Sequence, residues 1–309
     1  MAISSLSDLP SPPVDQSGWP WTEEPTPATD SMQDGSPWPT ISVVTPSYNQ
    51  GAFIEETIRS VILQGYPNLE YIVIDGGSTD ETVDIIKRYD SWIDHWVSGP
   101  DDGQSDAINK GFAKATGHIF AWLNSDDYYA PEALQTMAHA FSSCSDEVGA
   151  LVGTGHKIDQ NGDIVYTPEV PELTHQAFLD WMNYGHFMQP ACFFRRGAWE
   201  ESGPLRTDLR YPMDVDLWLK MSKKYRFERV DSTIAYAYRH AGAKTTGERP
   251  GMQAETIVLI AEHGGFDIAY RDARSLADDL AATRDRLNSI RRHPFVKWPL
   301  RLYNWFRWQ

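Results

Sequence analysis

Ile119-Phe120-Ala121-Trp122-Leu123-Asn124-Ser125-Asp126-Asp127 joins an apolar run to an abrupt acidic end. The run reads as a buried strand. Adjacent carboxylates at its end repel and raise each other's pKa unless a cation or a hydrogen-bond donor offsets them. Hard oxygen ligands at the carboxyl edge of an α/β sheet suit Mg²⁺ or Mn²⁺, and such ions usually also hold substrate phosphates. Asp and Asn are also ordinary turn and N-cap residues, so a solvated turn capping the next helix is the plainer reading of these residues taken alone.

Working outward, the chain alternates. Residues 41–45 read as a buried strand, 46–51 as a loop, and 52–63 as a helix with Phe53, Thr57 and Val61 at helical spacing. A second strand over 70–75 turns through Gly76-Gly77-Ser78-Thr79-Asp80 into a helix ending near Tyr89. A short third strand at 95–98 precedes a helix over 103–115, and the quoted run is the fourth strand. This alternation implies βαβ crossovers and a mostly parallel sheet. Ligands of such sheets sit beyond the carboxyl ends of the strands, so the loops after Thr45, Ile74, Ser98 and Leu123 line one crevice. Helix starts at Thr79 and Gly103 point donors toward it, which favours phosphate.

Composition places the chain among soluble globular proteins: 309 residues, 41% apolar and 23% charged, leave room for a large core. Cys144 and Cys192 make neither a metal-ligand spacing nor a disulfide framework, so a reducing, cytoplasmic compartment is the simplest reading. A formal charge of −16 argues against a nucleic-acid partner. Residues 1–40 hold no Lys or Arg, six acids and eight prolines, which predicts a disordered or loosely docked tail over 1–38. That stretch lacks the basic start and apolar core of a signal peptide. No run approaches the ~20 apolar residues of a membrane span. Residues 284–309 carry seven Lys/Arg against the single acid Asp285, with Trp298, Trp305 and Trp308. Residues 290–309 are therefore a candidate for contact with an anionic membrane surface, peripheral on its cytoplasmic face, or for docking on protein.

The segments Ser42-Val43-Val44-Thr45-Pro46-Ser47-Tyr48-Asn49, VIDGGSTDET, GPDDGQSDAINKGFAKATG and FAWLNSDD, in that order, resemble the family 2 glycosyltransferases of the bacterial polysaccharide branch. The resemblance implies a GT-A fold: an α/β, Rossmann-like architecture with a mostly parallel central sheet and flanking helices, over residues 39–247. A C-terminal helical extension over 248–309 follows. It implies a nucleotide-sugar donor, with a UDP-sugar favoured. Pro46, Tyr48 and Asn49 after the first strand, and Asp75 and Gly76 after the second, fall where the family holds base and ribose. Gly76 stands where a second Asp is frequent. Asp106 and Lys110, one turn apart, either lie near the nucleotide or form a surface ion pair.

Asn124-Ser125-Asp126 occupies the family's metal motif, usually Asp-x-Asp. Asp126 is then the expected ligand of Mn²⁺ or Mg²⁺, Asn124 and Ser125 lie on the donor side, and Asp127 braces the loop. The family often carries a His at the position of His240, near the metal or diphosphate. On the acceptor side Met213-Asp214-Val215-Asp216 matches the family's Glu-Asp-x-Asp, with Met in place of the Glu. Asp214 takes the place of the general base, which implies inversion at the anomeric carbon. The acceptor is expected to be a glycan or a lipid-linked saccharide. Two other readings stand beside this one. Asn124 and Met213 suit a catalytically inactive sugar- or nucleotide-binding module. A sugar-phosphate nucleotidyltransferase would need a basic Gly-rich first loop, which residues 46–51 lack.

Overall fold

The computed structural model describes residues 5–169, 172–184, 186–239 and 249–292. The chain divides into two compact units, residues 1–248 and 249–309.

In the first unit β1 (Ile41–Ser47), β2 (Leu69–Asp75), β3 (His95–Ser98) and β4 (Ile119–Trp122) lie side by side in the order β3-β2-β1-β4, all parallel. Every residue of β1 is buried, as its apolar composition requires of an inner parallel strand. Ile41 pairs with Leu69 on one side and Ile119 on the other. Three helices make the crossovers: α1 (Ile54–Ile62), α2 (Thr82–Arg88) and α3 (Gln104–Phe112). Ile54, Ile58 and Val61 of α1, at helical spacing, are all fully buried.

The second half adds β5 (Asp127–Tyr129), α4 (Ala133–Ser143), β6 (Val148–Ile158), β7 (Ile164–Tyr166), α5 (His175–Leu179), β8 (Cys192–Arg195), α6 (Arg196–Ser202), α7 (Met213–Met221) and β9 (Arg226–Tyr238). From β4 the order continues β8-β6-β9-β5, with β8 antiparallel to β4 and to β6, β9 parallel to β6, and β5 antiparallel to β9. β5 starts at Asp127, directly after β4, yet it pairs at the far end of the order. The sheet must therefore curl, bringing the end of β9 back to the loop after β4. Asp127 pairs with Ala237, so Asp126 lies one step out, beside Tyr238. Trp122 and Trp218 stack with centroids 5.5 Å apart and seat α7 on β4.

Residues 5–40, expected to be disordered or loosely docked, instead form a packed strap. Leu9, Trp21, Met32 and Trp38 are buried. The reason lies in α1, where Arg59 has no solvent exposure. Its guanidinium donates to the carbonyls of Pro10 (3.0 Å), Pro20 (3.1 Å) and Trp21 (3.1 Å) and to the Tyr89 hydroxyl (3.0 Å). Trp19 Nε1 adds a bond to the Tyr129 carbonyl at 2.7 Å. A buried charge needs this many partners, and the strap supplies three of them.

The second unit contains two helices, Arg249–Glu262 and Phe266–Arg292, joined through Gly264 at φ 96°. Leu259, Ile260 and Ala269 are buried within it. Among the described residues no helix is long and apolar enough to cross a membrane. Residues 293–309, which hold most of the expected membrane contact, lie outside the described residues.

Candidate active site

The loops after β1 and β2 are tied together by their own side chains. Asn49 adopts the left-handed conformation at φ 52°, which Asn tolerates better than most residues. Its Oδ1 accepts from the Thr79 amide at 2.8 Å, and its own amide donates to Ser78 Oγ at 2.7 Å. Asp75 is almost fully buried and accepts from the amides of Gly77 (3.1 Å) and Ser78 (3.0 Å) and the hydroxyls of Ser78 and Ser98. Its carboxylate thus orders the turn. Gly76 donates to the Ser47 carbonyl at 2.8 Å, and a Cβ there would sit 2.8 Å from Asp101 Oδ2. Pro46 is buried in β1, whereas Tyr48 stands 61% exposed at the crevice. Asp80 caps the turn, accepting from Gly51 and Thr82.

Asp106 and Lys110 turn toward each other in an i,i+4 ion pair of 2.7 Å, and Asp106 also accepts from the Asp102 amide at 3.0 Å. This is the geometry of the surface-pair reading.

Asn124 is a hub of the loop after β4. Its Oδ1 accepts from Gln104 Nε2 at 2.7 Å, and its Nδ2 donates to Asp127 Oδ2 at 3.1 Å and Gln189 Oε1 at 3.4 Å. Gln189 Nε2 in turn donates to the Trp122 carbonyl at 2.9 Å. Gln104 and Gln189 were not singled out from the sequence. The available signals were the position of Gln104 just after Gly103 at a helix start, and of Gln189 before Pro190 at the entry to a buried strand. Ser125 and Asp127 are buried, and Asp126 is half-buried. Burial, then the neighbouring Asp126 charge, push the Asp127 carboxyl well above its ordinary range, against the Asn124 donor and Lys157. Among the described residues no three His, Cys, Asp or Glu converge as a metal cage. His240 lies outside the described residues.

Asp214 sits in the first turn of α7, one turn ahead of Trp218, on the face that packs over β4. It is half-buried, and its Oδ1 accepts from the Val215 amide at 2.8 Å. Desolvation pushes its pKa up to about 6 despite that bond. Its charge reaches Cys192 at the start of β8, whose thiol is raised by burial first and by Asp214 second. Asp216 differs: it is buried and paired with Lys220 at 2.6 Å. Sequence spacing alone did not distinguish the two carboxylates; burial and pairing do.

A cleft of about 190 Å³ lies between Asp102–Ser105 at the start of α3 and Thr207–Arg210 with Met213 ahead of α7. It joins Gln104, the partner of Asn124, to the neighbour of Asp214. A larger cavity of about 990 Å³ opens between the strap and the faces of α1 and α2. Among the described residues that line it, Glu55, Glu56, Glu81 and Asp84 stand against one cation, Arg88, a charge balance that repels a diphosphate.

The family described as glycosyl transferase family 2 matches residues 42–203. A putative teichuronic acid biosynthesis glycosyltransferase, TuaG of Bacillus subtilis, is 31% identical over 198 residues, 60% of this chain and 73% of that protein. The hyaluronan synthase of Pasteurella multocida is 24% identical over 225 residues, 72% of this chain and 22% of that protein. The chain spans about three-fifths of the length of two Rickettsia glycosyltransferases it matches. Among solved structures, S. aureus TarS 1-349 with UDP-GlcNAc superposes with TM-score 0.59 at 21% identity, covering 72% of this chain and 66% of that one. The Pyrobaculum calidifontis mannosyltransferase with GDP-Man and Mn²⁺ superposes with TM-score 0.53 at 19% identity, covering 84% and 83%.

Proposed function

The chain belongs to glycosyl transferase family 2 and has the GT-A fold, and from that premise we propose that it is an inverting glycosyltransferase with Asp214 as general base. The observation that carries this reading is the state of Asp214: a half-buried carboxylate in the first turn of α7, next to cleft-lining Met213, with a pKa pushed up to about 6. A base works best with a pKa near the operating pH. The paired Asp216 is poorly suited to that role.

The donor is a nucleotide sugar, with UDP-sugars first, since TarS of the same fold was captured with UDP-GlcNAc. Tyr48, Pro46, Asn49, Asp75 and Gly76 form the nucleoside side, the turn that Asp75 organises presenting Tyr48 to it. The start of α3 offers its amides to phosphate. The acceptor hydroxyl donates to Asp214. Its proton passes to that carboxylate as its oxygen attacks C1 of the sugar, and the bond from C1 to the diphosphate breaks on the opposite face. Nucleoside diphosphate leaves and the anomeric configuration inverts.

The residues present fit a divalent cation: Asp126, half-buried in the loop after β4, offers the hard carboxylate oxygen that such an ion takes, and it would hold the ion together with substrate. Mg²⁺ or Mn²⁺ there would supply charge neutralisation for the leaving diphosphate. Asn124, already bonded on both amide atoms, braces the loop. The acceptor is a growing glycan or lipid-linked saccharide, in line with the polysaccharide roles named for TuaG and the hyaluronan synthase.

An inactive binding module is the competing reading, favoured by the neutral Asn124. Incubation with a panel of nucleotide sugars, with and without Mn²⁺, separates the two. We expect metal-stimulated release of nucleoside diphosphate that falls by ~10²-fold or more in Asp214→Asn while nucleotide binding persists. Binding with no release for any donor would establish the inactive module instead.

A further inference from the structure

The helix Phe266–Arg292 carries a seam that the proposed activity does not use. Ala273, Leu276, Leu280, Thr283, Leu287 and Ile290 follow one another at alternating spacings of three and four, in a register that extends back to Phe266. An average spacing of 3.5 is the signature of a coiled-coil seam. Every residue from Ala277 to Ile290 is exposed, and the seam residues Leu280, Leu287 and Ile290 are 56%, 52% and 49% exposed. A lone helical stretch of this length is marginal in water and draws its stability from packing on a partner.

The chemistry around the seam selects the partner. A helix lying in a membrane surface has a broad apolar face and a basic polar one. Here the apolar stripe is narrow, and Asp278, Asp279 and Asp285 alternate with Arg274, Arg284 and Arg286 around it, a mixed polar face in place of a basic one. The seam is instead complementary to itself. Run antiparallel, Leu276 meets Leu287, Leu280 meets Thr283, and Ala273 meets Ile290, so each small residue faces a large one. The flanking Asp279 then meets Arg286 of the other copy, twice by symmetry. A parallel pairing would bring Asp279 to Arg284 instead, but it would stack Thr283 on Thr283 and Ala273 on Ala273, leaving voids.

We propose that this seam binds the same seam of a second copy of this chain as an antiparallel two-stranded coiled coil. The test is the mass of the full chain in solution by analytical ultracentrifugation, up to ~100 µM. The expected result is a concentration-dependent rise from 35.0 kDa to twice that value. Leu280→Asp and Leu287→Asp, both exposed in the single copy and so harmless to its fold, should hold the mass at that of one chain. Asp278→Asn, on the outer face, should leave the rise intact. Asp279→Arg should weaken the pair ~10-fold or more, and Arg286→Asp added to it should restore the pair. A single-chain mass at every concentration, or a dimer indifferent to both Leu280→Asp and Leu287→Asp, would overturn the proposal. So would a monomer whose binding to anionic phosphatidylserine vesicles is lost in Leu280→Asp. Restoration of Asp279→Arg by Arg284→Asp but not by Arg286→Asp would overturn the antiparallel arrangement.

Discussion

At the scale of single residues, Asp214 couples function to stability. Its folded-state pKa, raised to about 6 from 3.8, means the native state prefers the protonated form. Below pH 3.8 the folded and unfolded chains are both protonated and the group is neutral in effect. Between pH 3.8 and 6 the unfolded chain ionises first, so stability falls, and above 6 the full cost persists. Asp214→Asn should therefore stabilise the protein at pH 7 by about 1–3 kcal/mol and leave it unchanged at pH 3.5, read from urea midpoints. Equal stabilisation at both pH values would assign the gain to something other than the charge. Asp126 makes the second residue-scale prediction. Asp126→Asn should abolish the Mn²⁺-dependent part of the thermal shift given by a nucleoside diphosphate, while the metal-independent part remains. The site residues differed in legibility. Asp214 and Asp126 were expected through the resemblance of their segments to the family's base and metal motifs, since carboxylates at strand and helix ends are by themselves ordinary caps. Asp75 was expected on the nucleoside side through the family resemblance, and its bonds to its own turn and to Ser98 are contacts that no spacing rule reports.

At the scale of elements, local pattern and tertiary contact divide the outcome. β1 to β4 and α1 to α3 were legible because each strand is an apolar run and each helix a periodic one, with Gly or Asp at the joints. β6 and most of β9 were not. β6 is buried or half-buried throughout with no clean alternation, β9 mixes buried and exposed positions irregularly, and their pairing joins residues as far apart in sequence as Ile158 and Tyr238. The strap was missed because its acidic, Pro-rich composition hides the few aromatic residues that dock. Its anchor, Arg59, lies in another element. Arg59→Met should cost on the order of 3 kcal/mol by leaving three strap carbonyls and the Tyr89 hydroxyl short of a donor. Limited proteolysis should then cut within residues 5–40 well before the sheet; unchanged resistance would mean that packing of Trp21 and Trp38 suffices. Helix α3 offers a steric counterpart. A Cβ on Gly111 would meet Val44 Cγ1 at 2.4 Å, so Gly111→Ala should destabilise by about 1–3 kcal/mol through a shift of α3 off β1.

At the scale of the whole molecule, the curl of the sheet matters most. It brings β5 and the end of β9 back to the loop after β4, while α7 sets Asp214 over β4 and β8. An acidic chain of net charge −16 can hold an anionic diphosphate only where positive charge is supplied locally. Nucleoside diphosphate with Mn²⁺ at ~100 times its dissociation constant should stabilise the protein by ~2.7 kcal/mol, and chelation of the metal should remove most of that gain.

The pH dependence of kcat/KM for sugar transfer tests the role of Asp214 most directly. The wild-type value should rise about tenfold per pH unit below pH 6 and level off above it, while Asp214→Asn should be slower by ~10²–10⁴ and lack that limb. A wild-type profile flat from about pH 5 to 8, or an Asp214→Asn enzyme as fast as the parent, would contradict the account.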